Sequence, residues 1–114
     1  MSKLTVNLIQ GSVSFDFSTE AAQALQSEIS ALMQAFRTPA GPKTTGDRPQ
    51  AKPSLDYRFS GPLLFECFCN PNIWPTPFAA KVLITLREER LRLTTEAELT
   101  QLMEDLNQYL DQEA

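Results

Sequence analysis

Two cysteines stand one residue apart in the run FECFCNPNIWPTPF, residues 65–78, with three prolines and a tryptophan following them. In an extended strand Cys67 and Cys69 fall on one face, about 6.6 Å apart along the chain, a poor placement for a disulfide between them. A structural zinc takes about four nitrogen or sulfur ligands, and the chain has two cysteines and no histidine. Four thiolates shared across a dimer axis would be the remaining route to a metal. A redox switch would need a neighbouring Lys or Arg to lower a thiol pKa, and none stands beside either cysteine. The pair therefore reads as two small hydrophobes packed in a buried strand, and no metal or cofactor is expected.

The absence of histidine removes the commonest general base, nucleophile activator and metal ligand together. Carboxylates remain. Glu66 interrupts the apolar run and projects from the strand face opposite the cysteines, with Arg58 as a candidate ion-pair partner. A buried carboxylate with a raised pKa could serve as a general acid. The chain carries no phosphate-binding glycine loop, no HExxH, no GxSxG and no acidic metal cluster. The expectation is a protein that is not an enzyme, with a small carboxylate-dependent enzyme as the catalytic alternative.

Two stretches instead have the makings of a docking surface. Pro71, Pro75 and Pro77 stiffen NPNIWPTPF and exclude helix or sheet interior, yet Ile73, Trp74 and Phe78 are costly to leave in water. Such a loop either folds back as a lid on the core or offers Trp74 as an anchor to another protein. At the other end, no Lys or Arg follows Arg92, while Glu96, Glu98, Glu104, Asp105, Asp111 and Glu113 sum to −6. Glu104, Asp105 and Asp111 are the candidates there for steering a basic partner.

The elements that must position these residues follow from periodicity. Leu4, Val6 and Leu8, then Val13, Phe15 and Phe17, alternate on either side of Gly11-Ser12 and predict a hairpin. Ser18 is a suitable N-cap, Glu20 suits the first turn, and Ala22, Leu25, Ile29, Leu32, Met33 and Phe36 form one helical face. LDYRFSGPLLFECFCN predicts one long strand, or two divided at Gly61-Pro62, and AKVLITLREERLRLTT a hairpin turning at Arg87-Glu88-Glu89. Thr94 or Thr95 is the expected cap of a last helix, Thr95 with Glu98 fitting a capping box. Leu99, Leu102, Met103, Leu106, Tyr109 and Leu110 are its apolar face. FDFSTEA (15–21) and LRLTTEA (91–97) match at an offset of 76, a weak internal repeat.

Between these units, residues 37–54 hold four prolines and two glycines and cannot bury enough surface to offset ordering. The segment reads as a flexible linker. Its Arg37, Lys43, Arg48 and Lys52 against Asp47 also allow a basic nucleic-acid arm, although no aromatic accompanies them for stacking. The whole chain of 114 residues has 10 basic and 14 acidic side chains, a net charge of −4. That balance disfavours non-specific attachment to nucleic acid or anionic membrane. No apolar run approaches a membrane span, and the first residues lack a signal-peptide layout, so a cytoplasmic protein with reduced cysteines is expected.

From Leu55 to Leu110, strands followed by the leucine-spaced helix of LRLTTEAELTQLMEDLNQYL resemble a COMM domain in outline. That resemblance covers half of the chain and implies a protein–protein dimerisation module. The fold expected is a single α+β domain over residues 1–114, ββα–linker–βββα, forming one antiparallel sheet with two helices packed on one face. The expected function is a non-catalytic protein–protein interaction module (an adaptor, assembly factor or small chaperone), homodimeric, with Ile73, Trp74, Phe78, Glu104, Asp105 and Asp111 at the partner surface. Nucleic-acid binding through 37–54 is the alternative.

Overall fold

Alternation at Leu4, Val6, Phe15 and Phe17 produces a hairpin of β1 (Ser2–Asn7) and β2 (Ser12–Phe17) in the computed structural model, which describes residues 2–37 and 53–113. Leu8 N–H donates to the Gly11 carbonyl at 2.8 Å, and Gly11 closes the turn at φ 94°, a conformation open to glycine without a Cβ penalty. Ser18 then caps α1 (Thr19–Arg37), its Oγ accepting from Ala21 N–H at 3.1 Å. Ala22, Leu25, Ile29 and Leu32 are the buried stripe of that helix, with Met33 and Phe36 packed beside it.

The segment after the linker divides at Gly61-Pro62 into β3 (Leu55–Ser60) and β4 (Leu64–Cys69). A Cβ on Gly61 would stand 2.9 Å from the Phe59 ring, so a larger residue there would require that ring to shift. β5 (Lys81–Arg87) and β6 (Arg92–Glu98) complete a four-stranded antiparallel sheet in the order β3-β4-β5-β6. Glu88 and Leu91 close their turn through reciprocal backbone bonds. α2 (Leu99–Glu113) follows β6 directly.

The α+β class and the order of hairpin, helix, linker, strands and helix agree with the sequence reading; two details differ. Four strands rather than three follow the linker, because Gly61-Pro62 makes a full reversal. The strands also form two sheets instead of one. At the outer edge of β1, Asn7 N–H donates to the Asp105 carboxylate of α2 at 2.8 Å rather than to another strand. Among the described residues only the hairpin tip makes a backbone hydrogen bond to the larger sheet, Ile9 N–H to the Glu96 carbonyl at 3.1 Å.

The expected capping box at Thr95 and Glu98 is not formed. Thr95 lies in the ladder opposite Ile84 and Glu98 opposite Lys81, and Leu99 N–H, at the helix start, donates to the Ala80 carbonyl.

One face of the four-stranded sheet carries Tyr57, Phe65, Cys67, Val82, Ile84 and Leu86, all buried with the apolar stripes of both helices and the hairpin in one core. Phe17 is its hub, fully buried, with its ring centroid 4.8 Å from that of Phe59 and 5.6 Å from that of Phe65. Tyr109 Oη donates to the Phe17 carbonyl at 2.6 Å, and Tyr57 Oη to the Ala21 carbonyl at 3.2 Å. The first bond ties α2 to β2 and the second ties α1 to β3, while the other face of the four-stranded sheet is left uncovered.

Candidate functional site

The residues first considered for chemistry are built into the core. Cys67 and Cys69 are free and buried, on the same face of β4. Burial pushes the Cys67 thiol far above its usual range, with the charge of Glu28 adding to the effect. Burial likewise raises Cys69 to about 11 and Tyr57 to about 12, the latter helped by Cys67 and Glu28. A thiol held protonated at neutral pH is a poor nucleophile. Among the described residues no three His, Cys, Asp or Glu side chains are grouped to hold a metal ion.

Glu66 projects from the opposite face, as its place in the strand requires, and Arg58, its cross-strand partner, reaches its carboxylate at 3.1 Å. The acidic candidates separate. Glu104 and Asp111 are exposed on α2. Asp105 is buried: it accepts from Asn7 N–H and Asn7 Nδ2 at 2.8 Å each and from Gln101 Nε2 at 2.9 Å. A carboxylate so enclosed ties β1 to α2 and is withdrawn from any partner, which corrects its assignment to the partner surface. In sequence it was indistinguishable from its neighbours, because its role depends on a strand 98 residues away.

The loop between β4 and β5 is shaped by short-range bonds. Asn70 Oδ1 accepts from Asn72 N–H at 2.9 Å, and Ala79 N–H and Ala80 N–H turn back on the Thr76 and Pro77 carbonyls. Trp74 is half-buried, its ring packed against the core and the Lys81 ammonium 5.3 Å from its centroid. Ile73 and Phe78 point out, 67% and 81% exposed. The loop therefore divides between the two roles considered for it. Trp74 lies against the protein, while the two aliphatic and aromatic side chains flanking it stand free.

The uncovered face of the four-stranded sheet completes the surface. Register places Phe68 opposite Leu83, and both are 43% exposed. Cross-strand pairs of this kind are the unit of sheet stabilisation on a covered face; here they lie open, near the strand ends from which the loop springs. Charge on the face is divided along the strands, with Arg87 and Arg92 paired at one end, Lys81 and Glu98 at the other, and Glu96 and Asp56 flanking the apolar pair. Phe68 and Leu83 were missed in the sequence. Their signal was present: apolar residues lie out of phase with the buried positions, Leu83 between Val82 and Ile84, and Phe68 between Cys67 and Cys69.

Of the basic linker, Arg37 is the last described residue of α1; Lys43, Arg48 and Lys52 lie outside the described residues. No helix among the described residues is long and apolar enough to cross a membrane. No family model matches the chain, and neither a curated protein nor a solved structure matches it, so the COMM-domain likeness rests on outline alone.

Proposed function

We propose that the protein is a non-catalytic protein–protein interaction module of a reducing compartment such as the cytoplasm, and that its docking surface is the uncovered sheet face with the loop at 70–80. The observation that carries this reading is the open Phe68–Leu83 pair beside exposed Ile73 and Phe78. Two free, buried thiols suit the compartment.

The partner supported best is a second copy of the chain. Both signs of charge occupy this one face, with the Arg87–Arg92 pair at the end away from Glu96 and Glu98. A copy laid face to face with its strands reversed sets Arg92 over the partner's acidic end and brings the apolar pairs toward the centre, a self-complementary contact of the kind two-fold symmetry requires. Four strands spaced about 4.8 Å apart, each with a length of about 20 Å, give a flat face of roughly 400 Å². A stable interface needs about 800 Å² per partner, so Ile73 and Phe78 must join the contact and the dimer is a weak one.

Sedimentation across a concentration series tests this. We expect reversible dimerisation in the micromolar range, lost in Phe68→Lys and in Ile73→Ser/Phe78→Ser, with thermal unfolding of the monomer unchanged. A monomer throughout at high micromolar concentration, or a dimer indifferent to these substitutions, would overturn the self-docking reading.

A further inference from the structure

β2 has a free edge, and its chemistry can be read from one hydrogen bond. Asn7 N–H points away from β2, to Asp105, so Asn7 and Ser12 form a pair that exchanges no ladder bonds. Pairs alternate along an antiparallel ladder, so Thr5–Ser14 and Lys3–Asp16 are of the same kind; the 2.7 Å contact of Thr5 Oγ1 with Ser14 Oγ fits the closer approach of such pairs. The backbone N–H and C=O groups of Ser12, Ser14 and Asp16 therefore point outward from β2. Among the described residues no backbone group bonds to this edge.

A groove of about 330 Å³ runs beside that edge, touching four consecutive β2 residues from Val13 to Asp16. Its floor is apolar: Phe15, Leu63, Leu86 and Leu93, with Leu91, 59% exposed, on the far wall. Carboxylates stand on both rims, Asp16 on β2 and Glu88 on the β5–β6 turn. The one cation there, Lys3, is drawn toward Asp16 at 3.8 Å.

We propose that this edge and groove are a second docking site, separate from the uncovered sheet face, which takes an extended peptide segment as a third strand beside β2. The segment's backbone meets the outward groups of Ser14 and Asp16, its alternate side chains are aliphatic and fill the groove, and a basic side chain among the others answers Asp16 and Glu88. Strand addition draws affinity from main-chain bonds and specificity from the side chains lying in pockets. An unpaired edge beside an apolar floor supplies both. The acidic rims select a basic segment over an acidic one.

The probe is an acetylated, amidated hexapeptide of alternating lysine and valine, titrated into the isotope-labelled full chain and followed through its amide resonances. Saturable shifts at Ser14, Asp16, Leu91 and Leu93, with new protection of the Ser14 and Asp16 amides from exchange, are the expected result. The same peptide N-methylated at the positions facing β2 binds at least tenfold more weakly, a control that leaves the protein untouched. Ser14→Pro removes an outward N–H that no ladder bond uses, a position where an edge strand tolerates proline; it folds and loses the peptide. Glu88→Lys weakens the lysine peptide by about threefold, as for an exposed charge pair, and favours the glutamate–valine analogue. Absence of binding at millimolar peptide, equal binding of the N-methylated peptide, or shifts confined to Phe68 and Leu83 would each overturn the proposal.

Discussion

FDFSTEA at 15–21 and LRLTTEA at 91–97 carry nearly the same residues into a helix, and they fold differently. In the first, the strand stops at Phe17, Ser18 turns the chain and the helix starts at Thr19. In the second, the strand runs through both threonines and the helix waits until Leu99, four residues beyond the matching position, Thr95. The difference lies in what stands alongside. The ladder of β2 has its last pair at Ser2–Phe17, so Ser18 is free to cap. Opposite Thr95, Glu96, Ala97 and Glu98, strand β5 still presents Ile84, Leu83, Val82 and Lys81. A threonine with a ladder partner does not cap. Local capping chemistry offers a helix start, and the neighbouring strand decides whether it is taken.

Substitutions at matching positions sharpen this. Phe17 and Leu93 correspond, but Phe17 is fully buried at the hub and Leu93 half-buried beside the groove. Phe17→Ala should cost about 4 kcal/mol in urea unfolding, and Leu93→Ala about 1–2 kcal/mol. Equal losses would mean that the two junctions carry similar packing and that the contrast is superficial.

The units are joined through Asp105, which holds the outer edge of the first hairpin to the helix of the second. Asp105→Ala leaves the Asn7 amide unpartnered in a part-buried setting and should cost about 2–3 kcal/mol. Glu104→Ala, one residue earlier and exposed, should change stability by less than about 0.5 kcal/mol. A matching loss at Glu104 would show that helix content, not the tie between units, is what Asp105→Ala removes.

Only the second unit holds thiols, so the units also differ in alkali. The Cys67 thiol titrates from 9.0 in a solvated chain to a higher value in the fold because burial disfavours the thiolate. The folded state then binds the proton more tightly, and its stability is full below pH 9 and declines as pH rises above it, by up to about 1.4 kcal/mol per pH unit for such a group. Unfolding curves collected from pH 8 to 10 should show the decline, and Cys67→Ala should reduce it, the remainder belonging to Cys69, which burial also raises. A slope unchanged by that substitution would place the titrating group elsewhere.

The smallest effect tests the capping contrast itself. Ser18→Ala should cost about 1 kcal/mol, the usual value of an N-cap. Thr94→Ala, at the matching place, should cost less than about 0.5 kcal/mol. Similar costs at the two sites would break the comparison.

Much of the architecture was legible because it rests on local rules. Period-two alternation located the strands, Gly61-Pro62 and Gly11 marked reversals, and Ser18 announced its helix. The two helix stripes, Ala22 to Leu32 and Leu99 to Tyr109, were read correctly. What escaped was decided between distant segments. The tie of the hairpin to α2 through Asp105 depended on a partner 98 residues away, and the start of α2 depended on the length of β5. The same holds at the surface. Ile73 and Phe78 stood out as apolar residues between prolines, whereas Phe68 and Leu83 were hidden among the buried residues of their own strands. Asp105 was grouped with exposed acids because helical spacing shows which residues share a face only when the neighbouring elements are known.

The bonds from Asn7 to Asp105 and from Tyr109 to Phe17 span 98 and 92 residues. During synthesis the hairpin is made before β3 and β4, which bring Phe59 and Phe65 against Phe17, and well before α2, which supplies Asp105 and Tyr109. At about 5–20 residues per second, that interval is of order ten seconds. Until β3 and β4 have followed, Leu4, Val6, Phe15 and Phe17 belong to a two-stranded apolar ribbon, too small to be stable alone. The hairpin is therefore fully secured only once α2 has been made, long after its own strands.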